Sequence, residues 1–428
     1  MISLRELSAA LRSGELSPTD HVRDVCERLA ADTHNAVVTL DAERALAQAA
    51  ALTEESACGR WRGPLHGVAL GVKDLFDVAG LPTRAGSNVL ADAPPAAADS
   101  TVVARLRAAG AVVVAKLHTH EFAYGPTGDV AATGPARNPH DPTRITGGSS
   151  SGSAAAVAAG HVPLALGTDT GASVRTPAAL CGVVGLKPTY DALPVDGVFP
   201  LSETCDHVGF LTADVDGAEL VWDVLGGPGE PVAATRVGVL VDEYWQAADP
   251  VLTAAVDAAV ATLRTNGVQV VEIRTPMIAE LAATYPTIVG AEAWATHARW
   301  LTERPEDYQQ ATRERLTPFR ELSAQVYVDA LRTRRRLAGE LAAAVDGVDA
   351  LVLPTTRLRA TPIGVEEVAG VPVRPSLLAL TLPFNLTGWP AVTVPGQVSD
   401  GGLPAGVQIV GTRLDERGVL RLARTLRS

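Results

Sequence analysis

The chain has 428 residues, of which 47% are apolar, 20% charged and 4% aromatic, with a net charge of −12. That balance excludes a disordered or collagen-like chain. The acidic surplus argues against a nucleic-acid groove as the main working surface, because a phosphate backbone would be repelled. With so few aromatics, Ala, Val and Leu must fill the core.

In chain order, residues 3–31 read as helix broken near Gly14, with Ser17-Pro18 as N-cap and first helical position. Residues 41–56 form a second amphipathic helix. A short apolar strand follows at Val68–Val72, with Lys73 at its C-terminal end. Thr101–Ala109 reads as helix and Ala111–Ala115 as a buried strand. A Gly/Ser loop at 147–152 precedes an Ala-rich helix at 153–159, a strand at Pro163–Leu166 and a second loop at 167–173. Gly226-Gly227-Pro228-Gly229 reads as a loop or hinge. Beyond it come the strand Val237–Val241, the helix Pro250–Thr265 and the strand Val268–Ile273. Residues 277–345 are mostly helical. Strands return at Ala350–Leu353, Ala391–Val394 and Val407–Val410, and Glu416–Leu426 is a closing helix. The alternation predicts an α/β fold: a large mixed β-sheet covered by helices on both faces, in a single large domain.

Cys26, Cys58, Cys181 and Cys205 make neither a disulfide framework nor a zinc motif. No stretch approaches the ~18 uninterrupted apolar residues of a membrane span. The first residues show no basic segment followed by an apolar run, so the expected location is cytoplasmic.

Of the 36 basic residues only three are lysines, Lys73, Lys116 and Lys187. Arginine serves wherever a generic positive charge suffices, so a retained lysine is a candidate for a place where arginine will not serve, for instance because the amine must lose its proton. The alternative is that some of the three are incidental.

The densest local signal is Gly147-Gly148-Ser149-Ser150-Ser151-Gly152-Ser153. It is no P-loop, since no Gly-Lys-Ser/Thr ends it. It matches G-x-S-x-G around Ser150, but a hydrolase elbow needs a strand immediately before it, and 138–146 carries two prolines. Gly167–Ser173 is a second run of small residues whose backbone N–H groups can converge on an oxyanion. Two such loops and a lysine at a strand end suggest a serine nucleophile whose base is not histidine.

The segment GGSSSGSAAAVAAGHVPLALGTDTGASVRTPAALCGVVGLKPT (147–189) closely resembles the signature of the amidase signature family. GVALGVKDLFDVAGLPTRAGS (67–87) resembles that family's lysine segment. PFNLTGWPAVTVP (383–395) and GLPAGVQIVG (402–411) resemble its C-terminal segments. The resemblance spans nearly the whole chain and is weakest between about 230 and 350. It implies N-terminal helices over 1–60, a catalytic core over 63–225, a divergent substrate-side region over 230–350 and a C-terminal part of the core over 350–428.

Carried over by position, the resemblance implies Lys73 as catalytic lysine, Ser173 as nucleophile and Ser149 as bridging serine, preceded by a cis peptide. The oxyanion hole would be backbone amides of Thr170, Gly171, Ala172 and Ser173. Two departures are Ser151 and Ala172, where the family usually has glycine; Ala172 is costly if that position needs positive φ. No metal or organic cofactor is implied. Partners would be a small amide substrate and water, with no direct nucleic acid and no membrane; a homodimer stays open. The implied reaction is hydrolysis of a small carboxamide, anilide, carbamate or ureide-like C–N bond through an acyl-enzyme. Competing readings are the glutaminase-type component of a tRNA-dependent amidotransferase and a non-catalytic binding protein on the same fold.

Substrate contacts are expected from Thr119, Tyr124 and Ser150. A second group comes from the aromatics of the middle region, Tyr285, Trp294, Tyr308 and Tyr327, against which ordinary helix packing weighs equally. His118-x-His120-Glu121 could pair on a metal, but without further ligands a packing or pocket-wall role is favoured. Cys181 reads as a small buried apolar residue.

Overall fold

In the computed structural model, residues 3–227, 229–397 and 402–426 are described, so Pro228 of the Gly-rich loop lies outside them. The strands in chain order are β1 Val37–Leu40, β2 Ala69–Lys73, β3 Val112–Leu117, β4 Arg137–Asn138 and β5 Asp141–Ile145. They continue with β6 Leu164–Thr168, β7 Val184–Lys187, β8 Val208–Thr212, β9 Arg236–Leu240 and β10 Gln269–Ile273. The last are β11 Ala350–Pro354, β12 Glu367–Val368, β13 Val371–Pro372, β14 Ala391–Pro395 and β15 Gly406–Gly411. Eleven of them form one sheet in the order β1-β3-β2-β6-β8-β7-β14-β15-β11-β9-β10. β2 runs parallel to β3 and β6, whereas β8 and β7 are antiparallel insertions, so the sheet is mixed.

Each central strand feeds two cores because successive side chains point to opposite faces. Leu164 and Leu166 of β6 join one apolar cluster and Ala165 the other. The first face is covered by the helices Leu4–Ser13, Thr101–Ala108 and Val215–Leu225, the second by Pro18–Ala30, Ala42–Ala57 and Ser151–Ala158. The strands are buried on both sides, so they read as short Val/Leu/Ala runs rather than alternating ones. Each fully buried Leu or Val contributes roughly 1.5–3 kcal/mol.

The helix Ser151–Ala158 starts two residues before the expected 153. Its first turn lies directly on the chain after β3: a Cβ on Gly152 would come within 2.4 Å of Ala36 O and His118 N. Gly152 N donates to His118 O at 3.0 Å, so this contact sets the height of the Ser149-Ser150 loop above the sheet. The prolines of 138–146 argue against a strand, yet β4 and β5 pair as a separate antiparallel ribbon. Pro142 falls where that ladder shifts register, so its missing N–H forfeits no ladder bond. The ribbon is not part of the large sheet, so Ser150 does not follow a central sheet strand as the nucleophile of a hydrolase elbow does.

All three lysines are fully buried. Lys116, in β3, pairs with Asp74 at 2.8 Å with both side chains out of solvent. Its Nζ also donates to Pro82 O and Thr83 Oγ1, each at 3.2 Å, and ties the turn after β2 to the sheet beside Lys73. Removing one member of a buried pair strands the other charge, which costs about 3–5 kcal/mol. Lys116→Met should therefore lower the unfolding free energy by about that amount. The double variant Lys116→Met/Asp74→Leu should lose clearly less; denaturant titration of the three proteins measures both, and an unchanged midpoint for Lys116→Met would contradict the assignment.

Candidate active site

Lys73 is the last residue of β2 and Thr168 the last of β6, its parallel neighbour. Sheets of this kind place ligands beyond the carboxyl ends of parallel strands. Lys73 Nζ donates to Ser149 Oγ at 2.7 Å, to Thr168 Oγ1 at 2.8 Å and to Ser150 Oγ at 3.1 Å. Its contacts are thus three neutral hydroxyls and no carboxylate. Burial drives its pKa from 10.5 down to about 7, against an upward pull from the more distant Asp169 and Asp206. The Gly148–Ser149 peptide is cis.

Ser173 stands at the wall of a cavity of about 400 Å³. Ser150 N donates to its carbonyl at 3.1 Å, which joins the two Gly/Ser loops. Among the described residues no hydrogen bond joins Ser149 Oγ to Ser173 Oγ; such contacts commonly tighten only around bound substrate. The backbone amides of Thr170, Gly171, Ala172 and Ser173 donate to no acceptor among the described residues. Four unpaired N–H groups beside one hydroxyl are what a developing oxyanion needs. Ala172 does not take positive φ, so the departure from glycine costs no backbone strain there. Gly171 is required for a different reason: a Cβ would meet Tyr285 Oη at 2.3 Å.

A buried network holds this loop open. Arg175 Nη2 and Nε contact Asp169 Oδ1 and Oδ2 at 2.7 and 3.0 Å. Asp169 Oδ2 also accepts from the amides of Val174 and Arg175. Asn385 Nδ2 donates to Asp169 Oδ1 at 3.0 Å and its Oδ1 accepts from Arg175 Nη2 at 2.6 Å. Burial would raise the Asp169 carboxyl, but the Arg175 charge and these donors hold it well below the usual carboxylate range. Thr170 Oγ1 donates to Asp206 Oδ1 at 2.6 Å, which fixes the other side of the loop. Asp169, Arg175 and Asn385 escape sequence reading. The clue was present, since Arg175 lies inside the 147–189 segment and Asn385 inside 383–395, but neither carries a nucleophile's chemistry.

Of the expected substrate contacts, Tyr124 and Tyr285 line the cavity. The others are corrected. Ser150 is buried behind Lys73, where its hydroxyl also exchanges 3.3 Å contacts with the Thr168 backbone. Thr119 is buried and donates to His120 O at 3.0 Å. Tyr308 packs on Phe122 and bonds His297 Nδ1 at 2.9 Å. Tyr327 donates to Glu292 at 2.8 Å, and Trp294 is half-buried on the helix Ile278–Glu303; neither is on the cavity wall. Of the four middle-region aromatics expected at the cavity only Tyr285 reaches it, joined there by Tyr244, which the sequence reading did not single out.

His118 bonds Ser151 Oγ and Gly134 O at 2.7 and 2.8 Å, and burial lowers its pKa to about 4, so it is a neutral packing residue. Cys181 is a buried free thiol with its Sγ 3.4 Å from Thr146 O. Lys187 Nζ donates to Pro188 O, away from the cavity. Among the described residues, the side chains arranged to hold a metal are Asp32, His34 and His161, whose donor atoms lie within 4.8 Å of one another and off the cavity. No helix among the described residues is long and apolar enough to cross a membrane.

Comparison with known proteins agrees with this architecture. The Amidase family profile matches residues 20–420. The chain is 38% identical to AtzE, the 1-carboxybiuret hydrolase subunit of Pseudomonas sp. (strain ADP), over 98% of this chain and 97% of that protein. It is 34% identical to GatA-type glutamyl-tRNA(Gln) amidotransferase from Geobacter metallireducens (strain ATCC 53774 / DSM 7210 / GS-15), itself one subunit of that enzyme, over 99% and 96%. A solved amidase superposes with a TM-score of 0.91 at 39% identity, covering 99% of this chain and 98% of that one. The chain belongs to the amidase signature family and is an amidase, a hydrolase of carbon–nitrogen bonds.

Proposed function

We propose that the chain hydrolyses a small amide, carbamate or ureide-like bond through an acyl-enzyme on Ser173. The observation that carries this reading is the buried Lys73 amine, held by hydroxyls alone, on the same floor as a cavity-wall serine, Ser173, whose run of four amides, 170–173, has no acceptor among the described residues. Serine is a weak nucleophile until a base takes its proton. With its pKa near 7, Lys73 is substantially neutral at physiological pH and can accept that proton through Ser149. Ser173 Oγ attacks the carbonyl carbon, and the amides of 170–173 stabilise the oxyanion. The amine leaves with a proton returned along the same path, and water repeats the sequence on the acyl-enzyme. Removing one oxyanion donor in enzymes of this type costs about 10²–10³ in rate.

The named relatives support a C–N substrate. One is called a hydrolase of 1-carboxybiuret and another an amidotransferase, and both are parts of larger assemblies by name. A glutaminase-type component is therefore the second reading. Against it, among the described residues the cavity wall around Ser173 carries no aspartate or glutamate to hold the α-ammonium of glutamine. A co-purifying partner with glutamine-dependent ammonia release would establish it instead.

Ser173→Ala should abolish turnover and fluorophosphonate labelling with the fold retained, whereas Ser150→Ala should leave a reduced but measurable rate. The reverse pattern would move the nucleophile to Ser150. A second test is the pH profile. Since the neutral amine is the base, kcat/KM should fall as the pH drops through about 7 and level off above it. Lys73→Arg should be as damaging as Lys73→Ala, by about 10²–10⁴-fold, because a guanidinium stays protonated. An arginine variant with most of the activity would show that position 73 supplies charge only.

A further inference from the structure

The cavity before Ser173 has a wall that the hydrolytic chemistry leaves unused. Arg374 lines it, on the short helix Val373–Leu378. Its guanidinium donates to the Tyr124 carbonyl at 3.3 Å and lies 5.5 Å from the centre of the Tyr124 ring. Arg315, on the helix Gln310–Leu316, donates to the same carbonyl at 3.4 Å. Arg357 also lines the cavity, its guanidinium 5.2 Å from the Tyr244 ring centre and its Nε buried without a hydrogen-bond partner.

None of the three arginines forms an ion pair among the described residues, and no acidic residue lines the cavity. A guanidinium offers five donors, and one carbonyl occupies few of them. Two guanidinium groups converging on one carbonyl also repel each other. Burial first, and then the Arg315 charge, lowers the pKa of Arg374 to about 10, so it remains a cation. A desolvated cation without a counter-charge is costly to keep. The planar fork matches a carboxylate in bidentate fashion. The remaining wall is largely apolar, with Val289, Leu378 and Leu382, which suits a carbon skeleton rather than a bare inorganic anion. The volume is at the small end of ligand pockets, so one small molecule can touch both Ser173 and Arg374.

We propose that this site takes an amide bearing a carboxylate, with Arg374 as the group that binds the anion, Arg357 as a second donor and Arg315 reinforcing the positive field. The proposal rests on the reading of Ser173 as nucleophile, and its test is built so that the two can fail separately. Ser173→Ala, which cannot turn over, is titrated with malonamate, succinamate, glutaramate and N-acetylglycine. Each is compared with its neutral partner: malonamide, succinamide, glutaramide and N-acetylglycinamide. At least one acid should bind tenfold or more tightly than its neutral partner. Adding Arg374→Gln should erase that preference and Arg374→Lys should restore part of it. Wild-type enzyme should show the same preference in kcat/KM, carried mainly by KM, and Arg374→Gln should still label with a fluorophosphonate. Equal or tighter binding of every neutral partner, or an unchanged preference in Arg374→Gln, overturns the carboxylate subsite. Absence of labelling in wild type overturns the nucleophile reading alone, because the binding comparison does not use it.

Discussion

The site depends on one buried ion pair, Asp169 with Arg175. Neither side chain reaches solvent, and every polar atom of the pair meets a partner: loop amides, Thr381 O, Gln408 Oε1 and Asn385. Such a pair adds little net stability, since desolvation offsets the attraction. What it does is mechanical. By capturing the amides of Val174 and Arg175, the Asp169 carboxylate bends the chain so that the amides of 170–173 stay free. Arg175 then anchors that bend to β15 through Gln408 and to the 381–385 turn. An oxyanion site is useful only if its donors are already oriented before charge develops, and under the proposed mechanism the Asp169–Arg175 pair supplies that orientation from beneath the loop.

Lys73 follows the opposite rule. Asp169 is kept ionised by its charged partner, whereas Lys73 is brought near neutrality by burial among hydroxyls alone. The two sites are separated only by the turn after β6, so the fold keeps a salt bridge and a deprotonable amine side by side without letting them pair. Placing Lys73 against Asp169 directly would return its pKa towards the ordinary range and take away the neutral amine that the proposed mechanism uses.

Much of this was legible in the sequence. Short Val/Ala strands alternating with helices indicate the sheet, and the scarcity of lysine against 33 arginines singles out Lys73, Lys116 and Lys187 alike, among which the family resemblance implies Lys73. The Gly/Ser loops narrow the choice to a few serines, and the family resemblance implies Ser149 and Ser173 among them. Two kinds of feature were not legible. The first is very short elements: β7 has four residues and the helix Arg175–Cys181 seven, too few for a periodic signal. The second is direction. Tyr285 and Tyr308 look equivalent in sequence, yet one meets Gly171 and the other Phe122, because the long helix Ile278–Glu303 presents only one face to the cavity and Tyr308 lies beyond its end. Arginine's abundance hid Arg374 as well, since a residue used everywhere carries no compositional signal.

The cavity divides into a floor and a wall with different physical origins. The floor, with Lys73, Ser149 and residues 170–173, is built from strand ends and loops locked to both cores. The wall comes from the helix Ile278–Glu303, the helix Val373–Leu378 and the turn carrying Arg357, and its apolar residues such as Val289 and Leu382 pack onto one of the two cores as well as facing the cavity. A substitution in the floor disturbs backbone geometry and packing together, so the residue pattern there is narrowly constrained. A polar or charged wall residue such as Arg374 shapes the space before Ser173 without touching the hydrogen bonds of Lys73. The wall is drawn from both sides of residue 350, with Tyr285 and Val289 before it and Arg357, Arg374 and Leu378 after it, so two separate stretches of the chain shape the space before Ser173.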